Sequence, residues 1–195
     1  MLLGLTGGIT TGKSTVTRYL AKRAGLFVFD ADACVHELLA SDKEVGSAVR
    51  NEFALGDEPI DRRALGQLIF RDTDARRRLE AILHPVVRDR WRGLAAKSRA
   101  ERSDFLADIP LLFETGADGY FDAIIVVAAS PETQRQRMAD RGIPPDLIEP
   151  MLASQRPIGQ KVGQADYVIW NDGSQAELER QCALLLDAIF PKRHE

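Results

Sequence analysis

Residues 7–14 read Gly-Gly-Ile-Thr-Thr-Gly-Lys-Ser, which fits the spacing G-x-x-x-x-G-K-[ST]. That spacing belongs to a loop whose backbone N–H groups wrap phosphate oxygens. Gly7 and Gly12 permit angles and close approaches that a Cβ would obstruct. The N–H groups from Gly8, Ile9, Thr10, Thr11, Gly12, Lys13, Ser14 and Thr15 converge on the phosphates. The Lys13 ammonium suits the β- and γ-phosphates, and the Ser14 hydroxyl suits Mg²⁺. A nucleoside triphosphate is the expected ligand.

Phosphoryl transfer also needs an acceptor held in line and a carboxylate to orient or deprotonate it. Asp32 is the candidate, close behind the second apolar segment. Asp30 lies two residues earlier; in an extended segment both side chains point the same way and could share a metal-bound water. The other reading makes one of the two the cap of a helix starting near Ala33. Asp108 ends a third apolar segment and, with Asp32, is a candidate to face the metal. Arg137 and Arg141, four apart, fall on one helix face, where guanidinium forks can neutralise charge on a transferring phosphoryl; the other reading is two exposed arginines paired with Glu132 or Asp140. His84 precedes Pro85 at an expected helix start and by itself reads as a capping or packing histidine. Asn171 serves either the adenine or an Asn-Asp-Gly turn. Trp91 and Trp170 read as core.

These residues need a frame that gathers them. Met1–Leu5, Leu26–Phe29, Asp104–Ile109, Ala123–Ala128 and Tyr167–Trp170 read as five strands alternating with helical segments, the pattern of a doubly wound parallel sheet. Such a sheet binds ligands at the carboxyl ends of its strands. That rule sets the Gly-rich loop, Asp30, Asp32, the stretch from Pro110 and Leu111 to Glu114, and Asn171 on one rim. Ser14–Arg23 is the helix after the loop. Between the second and third strands, Asp61–Phe70, Asp72–Leu83 and Pro85–Ala96 carry apolar residues at helical spacing, more than one crossover needs. They read as an inserted helical unit. Pro131–Arg156, polar and arginine-rich, has the position of a lid.

With 195 residues, 45% hydrophobic and 28% charged, the chain suits one globular domain. A net charge of −3 lacks the basicity of a nucleic-acid binder. No apolar run approaches the ~20 residues of a membrane span. Cys34 and Cys182, far apart and outside any C-x-x-C pair, read as buried thiols of a reducing compartment. With no signal-peptide pattern at the N-terminus, a cytoplasmic protein is expected. A monomer is the expected state.

In combination these motifs resemble the dephospho-CoA kinase family over nearly the whole chain. The resemblance rests on Gly4-Leu-Thr-Gly-Gly-Ile9 leading into Gly12-Lys-Ser14, on Asp30-Ala-Asp32, on Asp61-Arg62 with Ala64-Leu65, and on Leu83-His-Pro85. Pro110-Leu-Leu-Phe-Glu114, Ser154-Gln155 and Ala165-Asp166-x-Val-Ile-x-Asn171 complete it. It implies an α/β P-loop kinase that phosphorylates the ribose 3′-hydroxyl of dephospho-CoA using ATP and Mg²⁺. It also implies a core (1–34, 101–130, 161–195), a helical CoA-binding insertion (about 35–100) and a lid (about 131–160). In it Asp32 matches the family's general base, Arg137 and Arg141 resemble its lid arginines, and His84, Pro110 and Leu111 belong with the acceptor. Two departures stand out. Thr10-Thr11 replaces the family's usual Gly-Ser, and Pro150-Met151 stands where an arginine often precedes Gln155. The nearest rival is a shikimate- or gluconate-type kinase, which the long helical insertion disfavours. A GTPase switch lacks its Asn-Lys-x-Asp and Asp-x-x-Gly motifs here.

Overall fold

The computed structural model describes residues 1–56 and 59–191. Five strands, β1 (Leu2–Gly7), β2 (Phe27–Asp30), β3 (Phe105–Asp108), β4 (Ala123–Ala128) and β5 (Tyr167–Trp170), form one sheet in the order β2-β3-β1-β4-β5. All neighbouring pairs are parallel. β1 and β4 hold the centre because they are apolar on both faces, as strands covered by helices on each side must be. Their alternation sends Leu2, Ile124 and Val126 to one core and Leu3, Leu5, Ile125 and Val127 to the other.

The second core is closed by α1 (Lys13–Ala24) and α9 (Gln175–Ile189), through Val16, Leu20, Leu178, Cys182 and Leu186. The first is closed by the run α2 (Ala31–Ser41), α3 (Lys43–Glu52), α4 (Arg62–Arg71) and α5 (Thr73–Ala100), all within the crossover from β2 to β3. Aspartates punctuate this run. Asp42, Asp61 and Asp72 each accept two backbone N–H bonds at the start of α3, α4 and α5, satisfying donors that have no helical partner. After β4 come α6 (Pro131–Asp140), α7 (Pro145–Ala153) and α8 (Ile158–Val162).

Three sequence expectations change. The helices read as Asp72–Leu83 and Pro85–Ala96 are one 28-residue helix, α5, with Pro85 inside it. Proline removes one rung of hydrogen bonding. Leu79, Leu83, Val87, Trp91 and Ala95 nevertheless follow at four-residue steps across it, all buried against the sheet or neighbouring helices. Continuous burial outweighs the local penalty, so His84 sits in mid-helix, not at a helix start. Trp170, expected in the core, is 45% exposed. β5 is an edge strand whose alternate residues Val168 and Trp170 lie on an uncovered face, while Ile169 is buried. Third, Asp30 and Asp32 do not share an extended segment. Asp30 ends β2 and its Oδ1 accepts from the Ala33 N–H, whereas Asp32 lies in the first turn of α2. Both cysteines are buried and unpaired, as expected.

Candidate active site

The loop after β1 has the geometry its sequence requires. Gly12 caps α1 at φ 92°, and a Cβ there would run into the Asn171 amide, so only glycine fits. Thr10 also has a positive φ, 60°. For a β-branched residue that conformation is costly, and the surroundings hold it. Its hydroxyl oxygen lies within hydrogen-bond distance of the carbonyls of Ile9 (2.7 Å) and Gln134 (3.0 Å), which share its single proton, and its own carbonyl accepts from Arg137 Nη1 (3.2 Å). Thr11, fully buried, donates to Gly8 O at 3.0 Å. Thr10 is thus held by bonds to α6 and Thr11 by a bond within the loop.

Lys13 forms an ion pair with Asp108 Oδ1, and Thr17 Oγ1 donates to Asp108 Oδ2 at 2.7 Å. Burial pushes the Asp108 carboxyl above the ordinary range, while Lys13 and Thr17 pull it back. Asp108 pairs in register with Leu5 of β1 and Asp30 of β2, so the strand ends bring Asp30, Asp108 and the loop onto one rim. Asp32 joins them from α2. Its surface is open to solvent, yet close-packed protein partly desolvates it and raises its carboxyl above the ordinary value; Lys13 opposes that rise, and Asp30 and Asp108 add to it. The Ser14 hydroxyl is exposed and makes no hydrogen bond among the described residues. No group of three or more acidic, histidine or cysteine side chains that could hold a metal occurs among those residues. This donor set fits Mg²⁺, which is held by one or two protein oxygens together with substrate phosphates rather than by an all-protein cage.

Beside this charged cluster an open cleft is lined by Asp32, His84, Arg88, Trp91, Pro110 and Leu111, among others. The structure therefore brings Asp32, His84, Pro110 and Leu111 together, as the sequence implied. Burial pushes the His84 imidazole below its usual value; Arg88 reinforces this and Glu80 opposes it. Trp91 is core as expected, packed on Tyr120 and Phe121, and its edge reaches the cleft.

The arginines separate. Arg137 donates from Nη1 to Thr10 O and from Nη2 to Asn171 O (2.9 Å), bracing the loop from α6. Arg141 caps the end of α6, exposed, with no ion pair among the described residues. Asn171 is buried, and its Nδ2 donates to Thr11 O at 2.8 Å. It supports the loop through that bond.

Sequence reasoning missed three contributors. Arg88 lines the cleft, Gln134 abuts Gly8, and Lys161 is fully buried between the loop and the cleft. A single lysine or glutamine in a polar segment carries no spacing signal; only the fold reveals it. Yet of the eight buried polar or charged residues among those described, seven (Thr6, Thr11, Thr17, Asp108, Gln134, Lys161 and Asn171) gather here, and only Ser98 lies elsewhere. Buried polar groups are costly unless partnered, so their concentration marks the site.

Comparison with known proteins agrees with this geometry. A family model described as dephospho-CoA kinase matches residues 1–177. A dephospho-CoA kinase from Geobacter metallireducens is 42% identical over 193 residues, covering 95% of this chain and 94% of its own. A crystal structure of the Thermus thermophilus protein TT1252 shares 33% identity with a TM-score of 0.76, covering 97% of both chains. Dephospho-CoA kinase from Campylobacter jejuni shares 26% identity with a TM-score of 0.66, covering 96% of both. A phosphate loop braced from below and a carboxylate-lined cleft beside it, on a P-loop kinase sheet, thus agree with full-length similarity: the chain belongs to the dephospho-CoA kinase family.

Proposed function

We propose that this chain transfers the γ-phosphoryl group of ATP to the ribose 3′-hydroxyl of dephospho-CoA, giving coenzyme A and ADP. The observation that carries the reading is the cleft where Asp32, His84, Pro110 and Leu111 meet within the electrostatic reach of Lys13. ATP lies over residues 7–15 with its phosphates on the backbone amides, and Lys13 leaves Asp108 in part to meet the γ-phosphate. Asp32 accepts the proton of the 3′-hydroxyl as the new P–O bond forms and the bond to ADP breaks. His84, neutral at physiological pH, and Arg88 orient the acceptor. Mg²⁺, held by Ser14 with Asp32 or Asp108, would neutralise charge on the β- and γ-phosphates. Arg137 holds the loop in shape, and Arg141, unengaged, swings onto the transferring group.

In this reading residues 35–100 receive the CoA moiety and 131–160 close over the nucleotide, excluding water as a competing acceptor. The C-terminal half of α5 also belongs to the sheet's core through Val87, Trp91 and Ala95, so acceptor binding and core are mechanically continuous. No helix among the described residues is long and apolar enough to cross a membrane; a cytoplasmic monomer is the proposed state. The deciding experiment incubates the protein with ATP, Mg²⁺ and, in parallel, dephospho-CoA, shikimate or gluconate. Phosphorylation of dephospho-CoA alone is expected; preference for either small acid would overturn the assignment.

A further inference from the structure

Lys161, on α8, is 0% exposed. Its Nζ donates to Gly7 O at 3.3 Å and Pro110 O at 2.8 Å, and pairs with Glu114 Oε1 at 3.0 Å. An ammonium has three donors, and here all three have partners, one at the end of β1 and two in the Pro110–Glu114 stretch. Gly7 ends β1 and opens the phosphate loop. Pro110 follows β3 and lines the cleft, and its carbonyl also accepts from Thr6 Oγ1 at 3.0 Å. Glu114 Oε1 accepts in addition from the Arg156 N–H at 2.8 Å, in the segment that leads from α7 into α8. One side chain thus ties donor loop, acceptor cleft and lid segment together.

The arrangement is poorly suited to stability alone. Burial pushes the Lys161 ammonium toward its neutral form, Glu114 opposes this, and Lys13 and Arg156 add to it. The other Glu114 oxygen, Oε2, and nearby Gln155 Oε1 are buried without a hydrogen bond. Apolar groups of similar shape often replace a buried ion pair without loss of stability. What they cannot replace is a tripod of directed bonds to two carbonyls and a carboxylate.

We propose that Lys161 is a positioning residue. It sets the separation between the phosphate loop and the acceptor cleft, and through Glu114 it links the lid segment to both. The catalytic consequence rests on the kinase reading above; the mechanical coupling does not. Lys161→Met with Glu114→Gln removes both charges, so neither is left buried alone. This double variant should keep the parent's circular dichroism and bind a non-hydrolysable ATP analogue within about threefold. Its kcat with dephospho-CoA should fall about thirtyfold or more, with KM moved less than about threefold, the signature of lost alignment in the transition state. Hydrogen exchange gives an independent readout. In the parent the analogue should slow exchange in residues 7–15, 110–116 and 154–162; in the double variant, only in 7–15. Glu114→Gln alone, which keeps the lysine's carbonyl contacts, should uncouple only 154–162, and it decides the matter if the double variant does not fold. Turnover within threefold of the parent, or a preserved response in 110–116, would overturn the proposal. If the parent itself does not phosphorylate dephospho-CoA, the assigned reaction fails, while the exchange data still judge Lys161.

Discussion

Asp32, the proposed base, combines access to the cleft with a raised carboxyl. It stands at the mouth of the cleft, and partial desolvation lifts its carboxyl above the usual aspartate value of 3.8. Asp32→Asn should lower kcat by about a hundredfold or more while ATP affinity stays within a few-fold, measured by turnover and nucleotide titration. The pH dependence follows from the sign of the shift. With Asp32 as the proposed base its anion is the active form, so activity is expected above the folded-state value and lost as pH falls through it. The acid limb of kcat/KM should therefore lie above 3.8 and disappear in residual Asp32→Asn turnover. A group whose proton is held more tightly folded than unfolded disfavours folding once it is ionised. The variant should accordingly melt no lower than the parent at neutral pH. Cys182 is a further residue-scale check. Burial pushes its thiol up to about 11, so at pH 8 the folded protein should react with Ellman's reagent there only after unfolding.

At the scale of elements, caps and continuity govern the helical run. Asp42 accepts from Glu44 N and Val45 N and is the cap of α3. Asp42→Ala should cost about 1 kcal/mol, seen as a fall of about 2–4 °C in Tm, with kinetics unchanged. α5 illustrates what local rules leave out. Leu83-His-Pro85 has the local signature of a break, and the residue before a proline is biased away from helix. The four-residue series from Leu79 to Ala95 runs through it because each member has a buried partner. The pair Asp30 and Asp32 gives the converse lesson. Their spacing left two readings open, shared chemistry or a cap, and the early start of α2 at Ala31 decided that Asp30 is the cap.

Across the whole molecule, the site is where segments distant in sequence are tied together. Arg137, Asn171 and Thr10 join α6, the end of β5 and the loop, while Lys161 joins α8, β1 and the stretch after β3. A ligand that binds only this assembled form stabilises the fold by mass action. Saturating with an ATP analogue at a hundred times its Kd should add about 2.7 kcal/mol and raise Tm measurably. α7 also rests on α4 through Arg71 and Asp146 at 2.7 Å, both about 60% exposed. Exposed pairs contribute little, so Arg71→Ala should shift Tm by less than about 2 °C.

The sequence by itself determined the strands, the phosphate loop and the family, because these depend on periodicity and on residue types at short spacing. Glycine at position 12, a lysine and a serine after it, and continuous apolar runs have meanings that neighbouring residues alone specify. Tertiary structure decided which residues serve the site indirectly. It turned Arg137 and Asn171 into supports of the loop, carried α5 through Pro85, uncovered Trp170 on an edge strand and buried Lys161 at the junction. The reason is physical: the free energy of a buried charge, an interior proline or an edge residue depends on partners supplied from elsewhere in the chain, and no local pattern encodes them.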